Sequence, residues 1–357
     1  MQRALAFMLT IVSFCLILAG CQPAVNPAAT TAAATTAATA ATTAAATNGS
    51  TTAAAAVFPV TVKNAAGKDV VIKNQPQSIV VTNVWAGEML LDLVEASRIK
   101  GLSAWGDSAV LSAAADKAKA VAARVSTKEP EKIVSLKPDL VVIDTFSDPD
   151  GSLTKSLTDA GAVVLQMASP TNFEQIKAAI VTLAAATGAT AKGQAMNAAI
   201  DAKLKAVSDK LTGLTADKKL KAMYYEDYYD QSGSNAGMLA AYGQESPFTA
   251  IAAAAGLVNV CNAPNYSAVS KEKVVGEWKP DLLIVPAISY AADYSVVDDK
   301  GEKIIKGILA DKLLATLPAV QNGKVIALTE KYRGSTSQYM VEAVAELAKA
   351  AYPERFK

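Results

Sequence analysis

The 357-residue chain contains no histidine. That absence excludes a Ser-His-Asp triad, a Cys-His nucleophile pair, a His-ligated zinc and a His-ligated haem. Cysteine is almost as scarce. Of the three, Cys15 and Cys21 lie near the start of the chain and leave Cys261 alone in the remainder, so no disulfide can form there. Cys261 follows the run 257–260 and reads as a small core residue. Charge of one sign is also missing: 34 basic residues face 33 acidic ones. A nucleic-acid binder would carry a basic excess, so none is expected as a partner. Phosphate-loop, Cys-x-x-Cys and Gly-x-Ser-x-Gly patterns are absent as well, which argues against an enzyme. No cofactor is called for.

Arg3 is the only charge before residues 4–20, a run too short for an ordinary membrane span but suited to a signal-peptide core. It ends in Leu18-Ala19-Gly20-Cys21, which resembles the bacterial lipobox. Residues 1–20 are therefore expected to be an export signal and Cys21 a lipidation site that holds the protein at the outer face of a cell membrane. Residues 21–56 are almost wholly Ala and Thr, without charge or aromatic side chains. Such side chains bury too little apolar surface to offset ordering entropy, which predicts a flexible tether.

The remaining sequence contains an internal repeat. Glu131-Lys132-Ile133-Val134-Ser135-Leu136-Lys137-Pro138-Asp139-Leu140 recurs as Glu272-Lys273-Val274-Val275-Gly276-Glu277-Trp278-Lys279-Pro280-Asp281-Leu282, one residue longer. Each copy reads as a short helix, a Lys-Pro-Asp turn and an uninterrupted apolar strand of the kind buried on both faces of a parallel sheet. Further strands are expected at 78–81, 99–104, 162–166, 220–225, 257–260 and 324–328. Helices are expected at 88–97, 153–160, 248–255 and 338–351. This alternation predicts an α/β protein of two Rossmann-like lobes with largely parallel sheets. The expected lobes are 57–168 and 216–357. Between them, 169–215 is Ala- and Lys-rich, interrupted at Gly188 and Gly193, and reads as a long connecting backbone helix.

The opening Phe58-Pro59-Val60-Thr61-Val62, the segment Gln75-Pro76-Gln77-Ser78-Ile79-Val80, both Lys-Pro-Asp-Leu strands and the ending Tyr352-Pro353-Glu354-Arg355-Phe356 resemble the substrate-binding proteins of iron-siderophore and cobalamin ABC importers. The resemblance implies two lobes joined by a single long helix, a ligand cleft between them, and delivery of a metal chelate to a permease with its ATPase. It also implies two permease-docking glutamates, one per lobe. Glu88, in Ala86-Gly87-Glu88-Met89, and Glu245, in Gly243-Gln244-Glu245-Ser246-Pro247, stand at the matching positions, each expected to open a helix and point outward. A ferric siderophore is the leading ligand, with haem or a corrinoid as alternatives. A non-catalytic surface adhesin is the rival of a different class, and a monomer is expected.

Independently of the resemblance, ligands of open parallel α/β sheets bind beyond the carboxyl ends of the strands. In the first lobe those exits offer Trp85, Trp105 and Phe146. In the second they offer Tyr228, Tyr229, Tyr290, Tyr332 and Arg333. The expectation is a cleft with aromatic walls and one cation, Arg333, for anionic ligand oxygens. No metal-ligating set belongs to the chain itself.

Overall fold

The computed structural model of the protein describes residues 57–227, 239–291 and 295–357. The expected signal, tether and Cys21 lie outside them. No described helix is long and apolar enough to cross a membrane.

An antiparallel hairpin of β1 (Val60–Lys63) and β2 (Asp69–Ile72) precedes the first lobe. That lobe is a parallel sheet built from β3 (Ile79–Val81), β4 (Ile99–Ser103), β5 (Ala123–Val125), β6 (Leu140–Asp144) and β7 (Val163–Met167). Its order, β5-β4-β3-β6-β7, reverses between β3 and β6. Every residue of β3 and β6 is buried, as continuous apolar runs require.

The second lobe is mixed. β8 (Lys221–Asp227) pairs in parallel with β10 (Val258–Asn259) and β12 (Leu282–Pro286), and β12 pairs in parallel with β15 (Val325–Leu328). The end of β8, Tyr225 to Asp227, turns to antiparallel pairing with β9 (Leu239–Tyr242), which pairs with β11 (Tyr266–Val269). A small hairpin of β13 (Ile288–Tyr290) and β14 (Val296–Asp298) follows β12. Because both sheet faces are covered, Tyr224 and Tyr225 are each fully buried, in different core clusters, where simple alternation predicts one of them outside.

The repeat does the same job in both lobes. Lys137 and Lys279 both take positive φ, 48° and 44°. The following aspartates then staple the start of the neighbouring strand. Asp139 Oδ2 accepts from the Gln77 and Ser78 amides at 2.8 and 3.0 Å, just before β3, and Asp281 Oδ2 accepts from the Lys221 amide at 2.8 Å, where β8 begins. The extra residue of the second copy is absorbed as a wide π-type turn over Val274–Trp278, in which the Lys279 amide reaches back to the Val274 carbonyl at 2.9 Å.

The connecting segment is two helices. Phe173–Thr187 ends at Gly188, whose φ of 74° closes it, and Thr190–Lys210 follows. Gly193 does not interrupt the second helix. It permits close packing, since a Cβ there would lie 2.5 Å from the Ala184 side chain on the first helix. The first helix packs on β1 and on the Val84–Leu93 helix, and the second, about 31 Å long by its 21 residues, packs on the helices Pro247–Ala254 and Met340–Ala351. One apolar core runs from Ile79 and Leu140 through Ile180 and Ile200 to Tyr224 and Val344. The lobes are therefore joined through packed side chains as well as through the chain.

Candidate functional site

Asn83, two residues after β3, caps the Val84–Leu93 helix by accepting from the Ala86 amide at 2.9 Å. The helix thus starts four residues before Glu88, which lies in its interior and not at its opening. This places Glu88 where the lobes meet. Its side chain is fully buried and accepts from the Ser112 hydroxyl at 3.0 Å and the Ala113 amide at 2.6 Å in the first lobe, and from the hydroxyls of Ser335 and Ser337 in the second. Gln338 Nε2 donates to the Glu88 carbonyl at 3.0 Å. One turn later Asp92 accepts from Gln338 Nε2 and the Tyr339 hydroxyl, each at 2.9 Å, and pairs with Lys117. The expectation that Glu88 points outward to a permease is corrected: its carboxylate is consumed by an interlobe clasp. Burial pushes the Glu88 pKa up, opposed by those hydrogen bonds.

Glu245 differs from Glu88 in its surroundings. It is exposed, holds a φ of 66°, and stands two residues before the Pro247–Ala254 helix.

The aromatic residues divide. Phe146 after β6 and Trp105 after β4 are 88% and 54% exposed, and Tyr290 at the end of β13 is 51% exposed. Tyr332 is half-buried, packs on the core, and lies under the Lys331 ammonium, 5.4 Å from the ring centre. Trp85 is corrected from ligand wall to core: it is 5% exposed among Met89, Leu90 and Leu102, because the earlier helix start turns it inward. Tyr228 and Tyr229 lie outside the described residues. Cys261 is a buried core residue, as its place after 257–260 suggests, and Trp278 is buried in the same cluster.

Arg333 is also corrected. Its guanidinium does not wait for a ligand but forms a two-pronged ion pair with Glu330, at 3.1 Å through Nε, with side chains only 11% and 8% exposed. It stacks over Tyr224 at 4.8 Å and Tyr242 at 5.3 Å. Gly334 makes room, since a Cβ there would lie 2.3 Å from Glu330 Oε1. Burial opposes the charge on Arg333, but Glu330 and the two tyrosines hold its pKa well above the ordinary value. Glu226 at the end of β8 joins this cluster beside Tyr266, and burial pushes its pKa up. The sequence offered one signal for the pair, the helical Glu330-x-x-Arg333 spacing. Nothing local pointed to Glu226, Tyr242 or the Ser335 and Ser337 hydroxyls as partners.

The elements following β3 and β15 touch through the Glu88 clasp, so the carboxyl-end sides of the two sheets adjoin. Among the described residues no three His, Cys, Asp or Glu side chains gather as a metal site. The strand exits thus carry exposed aromatics in both lobes, and the second lobe adds a buried charge cluster.

Comparison with known proteins agrees with this architecture. A lipoprotein of Bacillus subtilis described as an ABC transporter substrate-binding protein, YvrC, is 24% identical over 309 residues, covering 84% of this chain and 88% of its own. A cobalamin-binding protein of Halobacterium salinarum is 23% identical over 300 residues, covering 83% and 75%. The apo structure of the periplasmic haem-binding protein RhuT from Roseiflexus superposes with a TM-score of 0.62 at 22% identity, covering 78% of this chain and 99% of that one. Residues 79–332, more than two thirds of the chain, match the periplasmic binding protein family, and the chain belongs to that family.

Proposed function

We propose that this protein is the extracytoplasmic substrate-binding component of an ABC importer, and that it captures a metal chelate at the adjoining carboxyl ends of its two sheets. The observation that carries the reading is the family match across both lobes together with exposed Trp105, Phe146 and Tyr290 at strand exits. Large aromatic faces left in water suit a bulky, partly apolar ligand. A ferric siderophore remains the leading cargo. A corrinoid is the second reading, favoured by the halobacterial relative's described cobalamin binding, and haem follows from the RhuT likeness in the same way.

Delivery requires a permease, and Glu245, exposed on the second lobe, is our docking residue. Lipidation at Cys21 and the tether of residues 21–56 would keep a monomeric carrier at the membrane surface. Its role is binding and hand-over, without a catalytic step.

The test is a thermal-shift panel on the full chain with ferric hydroxamates, ferric catecholates, cobalamins and haemin. A ligand present at one hundred times its Kd stabilises by about 2.7 kcal/mol. A clear upward shift with at least one class is expected. No shift with any of them would refute the carrier reading.

A further inference from the structure

Resting on the metal-chelate reading, we propose that the loop after β6 is a preformed ligand anchor. Phe146 is the apolar contact for the hydrocarbon periphery of the chelate, and Asp144 and Asp148 are the positioning residues that hold it out before the ligand arrives.

Phe146 leaves the first sheet where its strand order reverses, between β3 and β6. Open α/β sheets hold their ligands in the crevice at such a reversal, beyond the carboxyl ends of the strands. Trp105 follows β4, on the other side of β3, so the two aromatics flank the exit from which the Val84–Leu93 helix runs to the interlobe clasp. Phe146 is 88% exposed, an apolar face left in water at the place where a ligand is expected.

The backbone on both sides of this exposed ring is fixed. The Thr145 amide donates to the Met167 carbonyl of β7 at 3.0 Å. Asp144, 7% exposed, accepts on Oδ1 from the Ser147 amide at 2.8 Å and the Ser147 hydroxyl at 2.7 Å, closing a tight turn around Thr145 and Phe146. Its Oδ2 takes the Ser169 hydroxyl at 3.4 Å. Asp148, 3% exposed, accepts from the Leu153 and Thr154 amides at 2.9 Å each, at the start of the Ser152–Asp159 helix. Gln166 Nε2, on β7, donates to the Asp148 carbonyl at 3.0 Å. Capping of that helix alone would account for the Asp148 carboxylate. It does not account for Asp144, whose bonds reach only loop residues. Two buried carboxylates, each two residues from Phe146, are thus spent on its backbone. Ordering a loop at the moment of binding costs affinity, and a loop held beforehand avoids that cost. A phenyl face donates no conventional hydrogen bond, so it suits the hydrocarbon rim of a chelate and not the metal or its oxygens.

The experiment titrates ferrioxamine B, ferric enterobactin, cyanocobalamin and haemin into the full chain by calorimetry, and carries whichever binds into a set of variants. Phe146→Ala should weaken binding at least about fivefold without lowering the melting temperature, and Phe146→Leu should weaken it less. A smaller loss for Phe146→Ala overturns the anchor and leaves the carrier reading standing. Asp144→Ala should weaken binding at least about threefold in the parent and cause no further loss in the Phe146→Ala background. Asp144→Asn, which keeps an acceptor for the Ser147 amide, should stay within about twofold of the parent. Should Asp144→Ala not fold, Ser147→Ala takes its place in the cycle, with a loss of at least about twofold that again vanishes without the ring. A loss of the same size in both backgrounds, or none in either, overturns the positioning role. Failure of all four compounds to bind overturns the metal-chelate reading and the inference with it.

Discussion

Replacing Glu88 by alanine separates two incompatible roles for that residue. If it were an exposed docking group, its removal would change stability by no more than about 0.5 kcal/mol. In the clasp, its two oxygens collect the Ser112, Ser335 and Ser337 hydroxyls and the Ala113 amide. Hydroxyls can rotate toward other acceptors, but a backbone amide cannot, and leaving it unpaired costs about 1–3 kcal/mol. Lost charge-assisted bonds and the vacated side-chain volume bring the expected total to about 3 kcal/mol. At about 2 °C per kcal/mol for a unit of this size, the melting temperature should fall by roughly 6 °C. Urea unfolding followed by circular dichroism measures the free energy directly. A loss below about 1 kcal/mol would refute the clasp. Glu88→Gln adds a signed pH test. Burial raises the folded-state pKa of Glu88 above its unfolded value, with Asp92, Lys117 and Tyr339 the other titratable groups around it. The folded state then holds the proton more tightly. This contribution is full below about pH 4.3, the unfolded value, and is lost as pH rises through the folded value. The stability of the parent minus that of Glu88→Gln should therefore shrink from pH 4 toward pH 7, and a gap that widens over that range would contradict the assignment.

The same geometry makes three further outcomes measurable. Arg333→Ala strands the Glu330 carboxylate and should cost about 3–5 kcal/mol in urea unfolding, and Arg333→Lys should recover only part of it, because an ammonium cannot copy the two-pronged pair. Gly193→Ala improves helix propensity by up to about 1 kcal/mol, yet its Cβ would lie 2.5 Å from Ala184, so a net drop in melting temperature is expected where propensity alone predicts a rise. Glu245→Ala should leave stability within about 0.5 kcal/mol of the parent and ligand binding intact, while weakening stimulation of the cognate permease-ATPase in vesicles; unchanged stimulation would remove Glu245 from the docking surface.

The parts of this molecule that were legible in its sequence are those specified over short distances. Uninterrupted apolar runs gave the parallel strands, and the two Lys-Pro-Asp copies proved to be one device, a positive-φ lysine followed by an aspartate that staples the adjacent strand. Even the added residue of the second copy has a local consequence, the wide turn before Lys279. Strands β9 and β11 were missed because their pairing depends on the far end of β8 and not on any alternation of their own. Site residues were legible only as residue types at strand exits. Whether such a residue faces the ligand depends on who reaches it from elsewhere, and that information is distant: the serines that occupy Glu88 are 247 and 249 positions away. Arg333 shows the same principle at close range. A cation at a strand exit looks like a ligand group until its own helix supplies a carboxylate three residues earlier and the sheet supplies two aromatic faces.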